Sequence, residues 1–315
     1  ENIDNMAVNL NSEVILLENF FFFFKKNNDN IVMFIKADDF MSWKFQEMFF
    51  KIGIKYVFTI ANLQFMDNIH QYIIDNIDNI YDTYYMLNAN DGSRESYVAS
   101  LDNKVSGRMN GLKFAESQQY FLDGYLPKQG DIVIDGGSYD GSTARDFSQL
   151  GCKVYSFELD KNNYEKVLKS ANQYHFIPEN KGLGAVKDDL HYSVGGVGSR
   201  VAEAGENIAE IIDIDTYVLE KEISKIDFIK MDIEGSELDA LKGARNSICK
   251  WKPKMAICMY HKIDDMWKIP QYIKSLRSDY EFSFRHHTID TRFDYVFDEE
   301  QIRLLKGYKI KPDYI

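Results

Sequence analysis

The chain has 315 residues, 45% of them hydrophobic and 27% charged, an ordinary globular balance with room for one large α/β domain plus a smaller one. Its formal net charge of −12 repels phosphate backbones, which places nucleic acid outside the expected partners. Cys152, Cys249 and Cys258 show no CxxC or paired spacing, so neither a zinc ribbon nor a disulfide framework is expected, and idle thiols suit a reducing, cytoplasmic setting.

No secretory signal is read at the start of the chain. The most apolar stretch there, Val14 to Phe24, contains Glu18 and is too short to span a bilayer, so no transmembrane segment is expected. The run Phe20 to Phe24 reads as core rather than as an exposed docking patch. Ile31 to Ile35 reads as a strand, Phe40 to Phe50 as an amphipathic helix, Tyr56 to Ile60 as a second strand, and Ile69 to Ile80 alternates at helical spacing. Residues 1–104 are therefore expected to form a small N-terminal α/β domain, accessory in role because it holds neither a Gly-rich turn nor a ligand cluster. The turn-like NANDGS at Asn88 to Ser93 and a helical stretch after it lead into the main domain, 105–315.

From Gln129 the signals sharpen. Asp131 to Ile134 is a short buried strand, followed by helix-compatible sequence through Leu150, strand Lys153 to Glu158 and helix Asn162 to Ala171. Later come strand Phe228 to Met231, helix Ser236 to Ile248, strand Met255 to Met259 and helix Trp267 to Leu276. Two terminal strands, Glu281 to Phe284 and Tyr295 to Phe297, close the series. Alternating strands and helices predict a doubly wound, mostly parallel α/β sheet, and the short last connection predicts an antiparallel pair at one edge.

Asp135-Gly136-Gly137-Ser138-Tyr139-Asp140-Gly141 lies between the first core strand and its helix, where open α/β sheets bind ligands. Gly137 permits a tight turn and Gly141 lets the helix start close to the sheet. Ser138 stands where the dinucleotide fingerprint requires glycine, which disfavours a nicotinamide oxidoreductase. At the end of the next strand, Glu158 is placed to accept hydrogen bonds from both hydroxyls of a ribose.

The stretch Lys225 to Glu237 (KIDFIKMDIEGSE) runs a buried strand into a loop carrying Asp232, Glu234 and Glu237. Period-2 alternation puts Lys230 and Asp232 on one side of the strand. Three acids and a lysine crowded there are costly unless they meet a cation, substrate hydroxyls or one another. A purely structural alternative makes Asp232 a helix N-cap and Glu234 and Glu237 first-turn dipole partners, with Glu237 the most structural of them.

These pieces together resemble the FkbM family of methyltransferases. The matching segments are VIDGGSYDGST (Val133 to Thr143), VYSFE (Val154 to Glu158), IDTY (Ile214 to Tyr217), KMDIEGSELDALKGA (Lys230 to Ala244) and PKMAICMYHKIDDMWKIP (Pro253 to Pro270). The resemblance covers roughly 110 to the end, with RHHTIDTRFDY (Arg285 to Tyr295) matching only loosely. It implies a class I, Rossmann-like methyltransferase domain in which D-x-G-x-x-x-G is the cofactor turn. Asp135, Gly136, Gly137, Ser138, Tyr139, Gly141, Ser142 and Glu158 would then hold S-adenosylmethionine. It further implies an O-methyltransferase acting on a small-molecule hydroxyl, most often of a sugar in a glycan or natural product. The alternative is a non-catalytic module that binds S-adenosylmethionine or a glycan precursor. Nucleic-acid methylation is disfavoured because Met231-Asp232-Ile233-Glu234 stands where an N-P-P-Y-like loop would be.

For the chemistry, His261 follows the strand Met255 to Met259 at the same edge as Asp232. His261 is expected to remove the hydroxyl proton, with Asp232, Glu234 and Lys230 completing the catalytic group and the two acids orienting substrate. A variant has Asp232 and Glu234, with His261, holding a hard divalent cation such as Mg²⁺. Tyr139 is a candidate neighbour of the sulfonium, and Gln119-Tyr120 a candidate for the cofactor's amino-acid end. His286 and His287 either line the acceptor pocket or sit on an edge. Gly195-Gly196-Val197-Gly198 reads as a flexible hairpin or lid. A homo-oligomer stays open.

Overall fold

In the computed structural model the described residues are 69, 71–106, 115, 117–195, 198–201 and 207–287, with the strand segments 7–10, 13–16, 32–35 and 56–59; side chains are described within 69–105, 115–189 and 209–287. β1 (Ala7–Leu10) and β2 (Glu13–Leu16) pair antiparallel, while β3 (Val32–Ile35) and β4 (Tyr56–Thr59) pair parallel. The two expected strands therefore form and join each other, and a parallel pair requires a crossover between them. The Phe20–Phe24 run and the Phe40–Phe50 helix lie outside the described residues.

α1 (Ile77–Met86) starts after a break at Asn76, whose side-chain amide turns back to the Tyr72 carbonyl at 2.9 Å. Gly92 (φ +79°) and Asp91, whose carboxylate accepts from the Ser93 amide at 3.0 Å, then turn the chain into α2 (Ser93–Ser106). The helices pack Ile80, Tyr97 and Leu101 against Met266, Trp267 and Phe284, so they share a core with the C-terminal part of the chain.

β5 (Ile132–Gly136), α3 (Ser142–Gln149), β6 (Lys153–Phe157), α4 (Lys161–Tyr174) and β7 (Ile177–Glu179) wind outward in one direction. An excursion follows that the sequence pattern did not reveal. β8 (Gly182–Leu183), β9 (Asp188–Gly195), β10 (Gly198–Val201) and β11 (Asn207–Ile212) form a separate sheet in the order β10-β9-β11-β8. Gly195 pairs with Gly198 across the expected hairpin. α5 (Ile214–Glu220), capped by Asp213 through the Thr216 amide, returns the chain to β12 (Phe228–Met231). α6 (Glu237–Lys242), α7 (Arg245–Trp251), β13 (Lys254–Ile257) and α8 (Asp265–Leu276) complete the other half.

The main sheet has the order β13-β12-β5-β6-β7, all parallel. Its central strands β12, β5 and β6 are buried on both faces, which explains their largely apolar sequences. Val133, Val154 and Phe228 pack with α3 and α4 residues Phe147 and Val167 on one face. Ile134, Tyr155 and Ile229 pack with Leu241, Ile248 and Ile269 on the other. The chain reverses its direction of travel across the sheet between β5 and β12, so the crevice beyond their carboxyl ends is the topological switch point.

Two local expectations change. The single helix expected over Ser236–Ile248 is two, because Asp215 accepts from the amides of Asn246 and Ser247, both at 2.8 Å, and caps the second. Gly243 between them sits against the Gly184 carbonyl, where a Cβ would come within 2.2 Å. Glu281–Phe284 does not form a strand of the sheet: Phe282 makes one parallel bridge to Leu87, and its carbonyl accepts from the Asn88 amide at 2.9 Å. Its expected partner, Tyr295–Phe297, lies outside the described residues. Among the described residues no helix is long and apolar enough to cross a membrane.

Candidate active site

The turn after β5 is tied down from below. Gly137 has φ +79°, and a Cβ there would lie 1.8 Å from the Asp232 carbonyl oxygen, so only glycine lets the two loops meet backbone to backbone. Asp135 is fully buried beneath this turn; its carboxylate lies 3.1 Å from Lys230 Nζ and accepts from Ser156 Oγ at 2.9 Å and Ser138 Oγ at 3.2 Å. Lys230 Nζ also donates to the carbonyls of Gly136 (3.0 Å) and Gly137 (2.6 Å). Burial alone would lower the Lys230 pKa, but the charges of Asp135 and Asp232 outweigh it and the net shift is upward. Asp135, Ser138 and Lys230 thus hold the turn in shape from within the protein.

Gly141 (φ +80°) opens α3 against Ser170 and Phe176, and the Ser142 amide donates to Asp140 at 3.0 Å. Tyr139, in a left-handed conformation (φ 54°), donates its amide to Glu158 Oε2 at 2.7 Å, and the Asp160 amide donates to Oε1 at 2.9 Å. Each Glu158 oxygen keeps a lone pair, so the carboxylate can still accept two hydroxyls. Burial raises the Glu158 pKa, and the two amides offset only part of that. The Tyr139 ring is exposed and lies over Lys166 Nζ at 4.9 Å.

Across the crevice, Glu234 (φ 58°) and Gly235 (φ +96°) make the tight turn from β12 into α6. Glu237 is fully buried, and its Oε1 accepts the Ile233 amide at 2.8 Å, closing that turn. The same oxygen lies 3.0 Å from His261 Nδ1, while His261 Nε2 points toward Asp232 and Glu234, each at 3.5 Å. Burial pulls the His261 pKa down, but the Glu237 contact and the charges of Glu237, Asp232 and Glu234 raise it above the ordinary imidazole value. Asp232 is clamped by Tyr120 Oη at 2.6 Å and Tyr260 Oη at 2.8 Å. Burial raises its pKa, yet Lys230 and the tyrosine hydroxyls bring it below the usual carboxylate range. Asp232 is therefore no helix cap; Ser236 precedes α6 without a side-chain cap.

The groups that come within 4.8 Å of one another as possible metal ligands are Asp232, Glu237 and His261, not the pair Asp232 and Glu234. They fit Mg²⁺ poorly. One donor is an imidazole, both Asp232 oxygens already accept hydroxyls, and buried Glu237 is committed to the Ile233 amide.

The structure brings His261 within 3.5 Å of both Asp232 and Glu234. The sequence pattern missed Tyr260, whose ring lies tilted against His261 with centroids 4.0 Å apart, and it leaned toward a structural role for Glu237. Tyr120 reaches Asp232 from upstream of β5.

The family model of the methyltransferase FkbM domain matches residues 135–306, over half of the chain. The chain belongs to the FkbM methyltransferases. The hexuronic acid methyltransferase AglP of Haloferax volcanii is 25% identical over 127 residues, which are 38% of this chain and 53% of that protein. The chain thus spans about half the length of the curated relative it matches. The crystal structure of a methyltransferase FkbM from Methylobacillus flagellatus KT superposes with a TM-score of 0.64 at 24% identity, covering 88% of this chain and 75% of the other. That likeness confirms the α/β Rossmann-like fold of this FkbM methyltransferase.

Proposed function

We propose that this methyltransferase uses S-adenosylmethionine and methylates a hydroxyl oxygen of a sugar. The observation that carries the proposal is the Glu237–His261 contact at the switch-point crevice, with Nε2 directed toward Asp232 and Glu234. The Gly137 turn and Glu158, with its spare lone pairs, suit the cofactor's ribose and amino-acid portions. The relative named for hexuronic acid supports a carbohydrate acceptor.

S-adenosylmethionine, when bound, supplies a methyl group on a sulfonium whose sulfur leaves as a neutral thioether. With Glu237 beside Nδ1, the neutral imidazole would keep its proton on that nitrogen and leave Nε2 as the basic one. Asp232 and Glu234 hold the acceptor hydroxyl next to Nε2. As the oxygen forms its bond to the methyl carbon, His261 takes the hydroxyl proton, and the imidazolium is stabilised by three nearby carboxylates. Asp232 stays anionic and fixed in place because two tyrosines and Lys230 support it.

The test is incubation with S-adenosylmethionine and a panel of neutral and acidic monosaccharide glycosides, followed by product mass and mild alkali treatment. A methyl ether survives alkali, whereas a methyl ester on a sugar carboxyl does not. An alkali-stable product, lost on His261→Ala with S-adenosylhomocysteine affinity retained, is expected. An alkali-labile product, or turnover unchanged by His261→Ala, contradicts the proposal.

A further inference from the structure

We infer that the acceptor is an acidic pyranose, its ring lying on Tyr260 and its carboxylate read by Lys104; this rests on the sugar O-methylation proposed above. Tyr260 is 52% exposed although His261 covers one side of its ring. Its hydroxyl is pinned to Asp232 beside the base, so the ring is a fixed platform starting at the reacting end of the crevice. Aromatic faces of this kind accept the C–H face of a sugar ring while the sugar's hydroxyls stay free to bond elsewhere.

At the backbone end of the same residue sits a cation. Lys104, in the last turn of α2, donates from Nζ to the Tyr260 carbonyl at 2.7 Å. Among the described residues no carboxylate comes within ion-pair distance of it. Its pKa is lowered by burial, with Asp265 opposing that through space, and Asp265 is itself buried and raised to about 6. The helix C-terminus adds only partial negative charge. Next to Lys104, His286 Nδ1 lies 3.0 Å from Ser100 Oγ, and burial with the neighbouring charges of His287 and Lys104 pushes its pKa to about 4. His286 is thus neutral at physiological pH and brings no counter-charge.

Among the described residues this half-buried ammonium bonds a carbonyl and no carboxylate, and a monoanion supplies the missing negative charge. One cation matches one carboxylate; a phosphomonoester, with close to two charges, would leave most of one unpaired. Lys104 bonds the carbonyl of Tyr260 and Asp232 bonds its hydroxyl, so the two lie at opposite ends of one residue. A sugar lying along that ring would turn its carboxylate toward Lys104 and a hydroxyl toward Asp232.

The experiment is calorimetric titration of the full chain, saturated with S-adenosylhomocysteine, with para-nitrophenyl β-D-glucuronide and with para-nitrophenyl β-D-glucoside. These probes differ only in a carboxylate against a hydroxymethyl group. A charge-assisted contact predicts about tenfold tighter binding of the glucuronide. Lys104→Met should abolish that preference while leaving S-adenosylhomocysteine affinity unchanged, and Lys104→Arg should retain part of it. Equal affinities in the wild type, including no binding of either glycoside, overturn the inference, and so does a preference that survives Lys104→Met. The wild-type comparison decides even where a variant fails to fold. Failure of S-adenosylhomocysteine itself to bind would instead strike the methyltransferase proposal.

Discussion

Lys230 was expected in the catalytic group, and its surroundings make Lys230→Met an informative perturbation. The side chain is 2% exposed, faces a fully buried Asp135 at 3.1 Å and donates to two turn carbonyls. Met replaces its volume but leaves Asp135 without a counter-charge. Breaking one partner from a buried pair costs about 3–5 kcal/mol. The charge part has a ceiling, since protonating an ordinary aspartic acid at pH 7 costs about 4 kcal/mol. Two carbonyls deprived of a donor add about 1 kcal/mol each. Together these give a loss of about 5 kcal/mol, a large share of the stability of a typical domain. A buried carboxylate that takes up a proton on folding contributes stability at low pH and loses it as pH rises. The deficit should therefore narrow by about 2–3 kcal/mol between pH 7 and pH 5. Urea unfolding of wild type, Lys230→Met and Lys230→Met/Asp135→Asn at both pH values measures this, and the double variant should recover about half of the loss. A Lys230→Met protein within about 1 kcal/mol of wild type but with lost turnover would refute the structural role and return Lys230 to the chemistry.

Glu237→Gln should move the acidic limb of kcat/KM to lower pH and reduce turnover by about a hundredfold. His261 acts as a base only when neutral, and Glu237 is the first group raising its pKa against burial; an unmoved limb would detach Glu237 from the base. Gly137→Ala should abolish S-adenosylhomocysteine binding in calorimetry, because the new Cβ falls 1.8 Å from the Asp232 carbonyl at φ +79°; retained affinity would show that the turn is not the cofactor's seat. Prolonged dialysis against EDTA should leave turnover unchanged, since the Asp232, Glu237 and His261 donors suit Mg²⁺ poorly; activity restored only by added Mg²⁺ would contradict that.

Four strands of the parallel sheet were legible because the central ones are buried on both faces and each is punctuated by a turn or helix signal, as Ile132–Gly136 and Phe228–Met231 show; β7, three half-buried residues, was not expected. The second sheet over 182–212 was not. Its strands are short or polar, as in Asp188–Gly195, and β8 has two residues, too few to show a period. The turn glycines and His261 could be placed from spacing, because each follows the end of a strand. The division of labour between Asp135, Lys230 and the crevice could not, since it depends on which way two charged side chains point after strands distant in sequence pair. Tyr260, and the contact of Tyr120 with Asp232, were hidden for the same reason: both tyrosines meet Asp232 only through tertiary folding.

The most direct test of the central claim is titration of the purified chain with S-adenosylhomocysteine and, separately, with NADH. The proposal predicts micromolar binding of the first and none of the second, because Glu158 and the Gly137 turn would seat the ribose of S-adenosylhomocysteine while Ser138 breaks the dinucleotide pattern. Binding of NADH alone, or of neither, would contradict an S-adenosylmethionine-dependent methyltransferase.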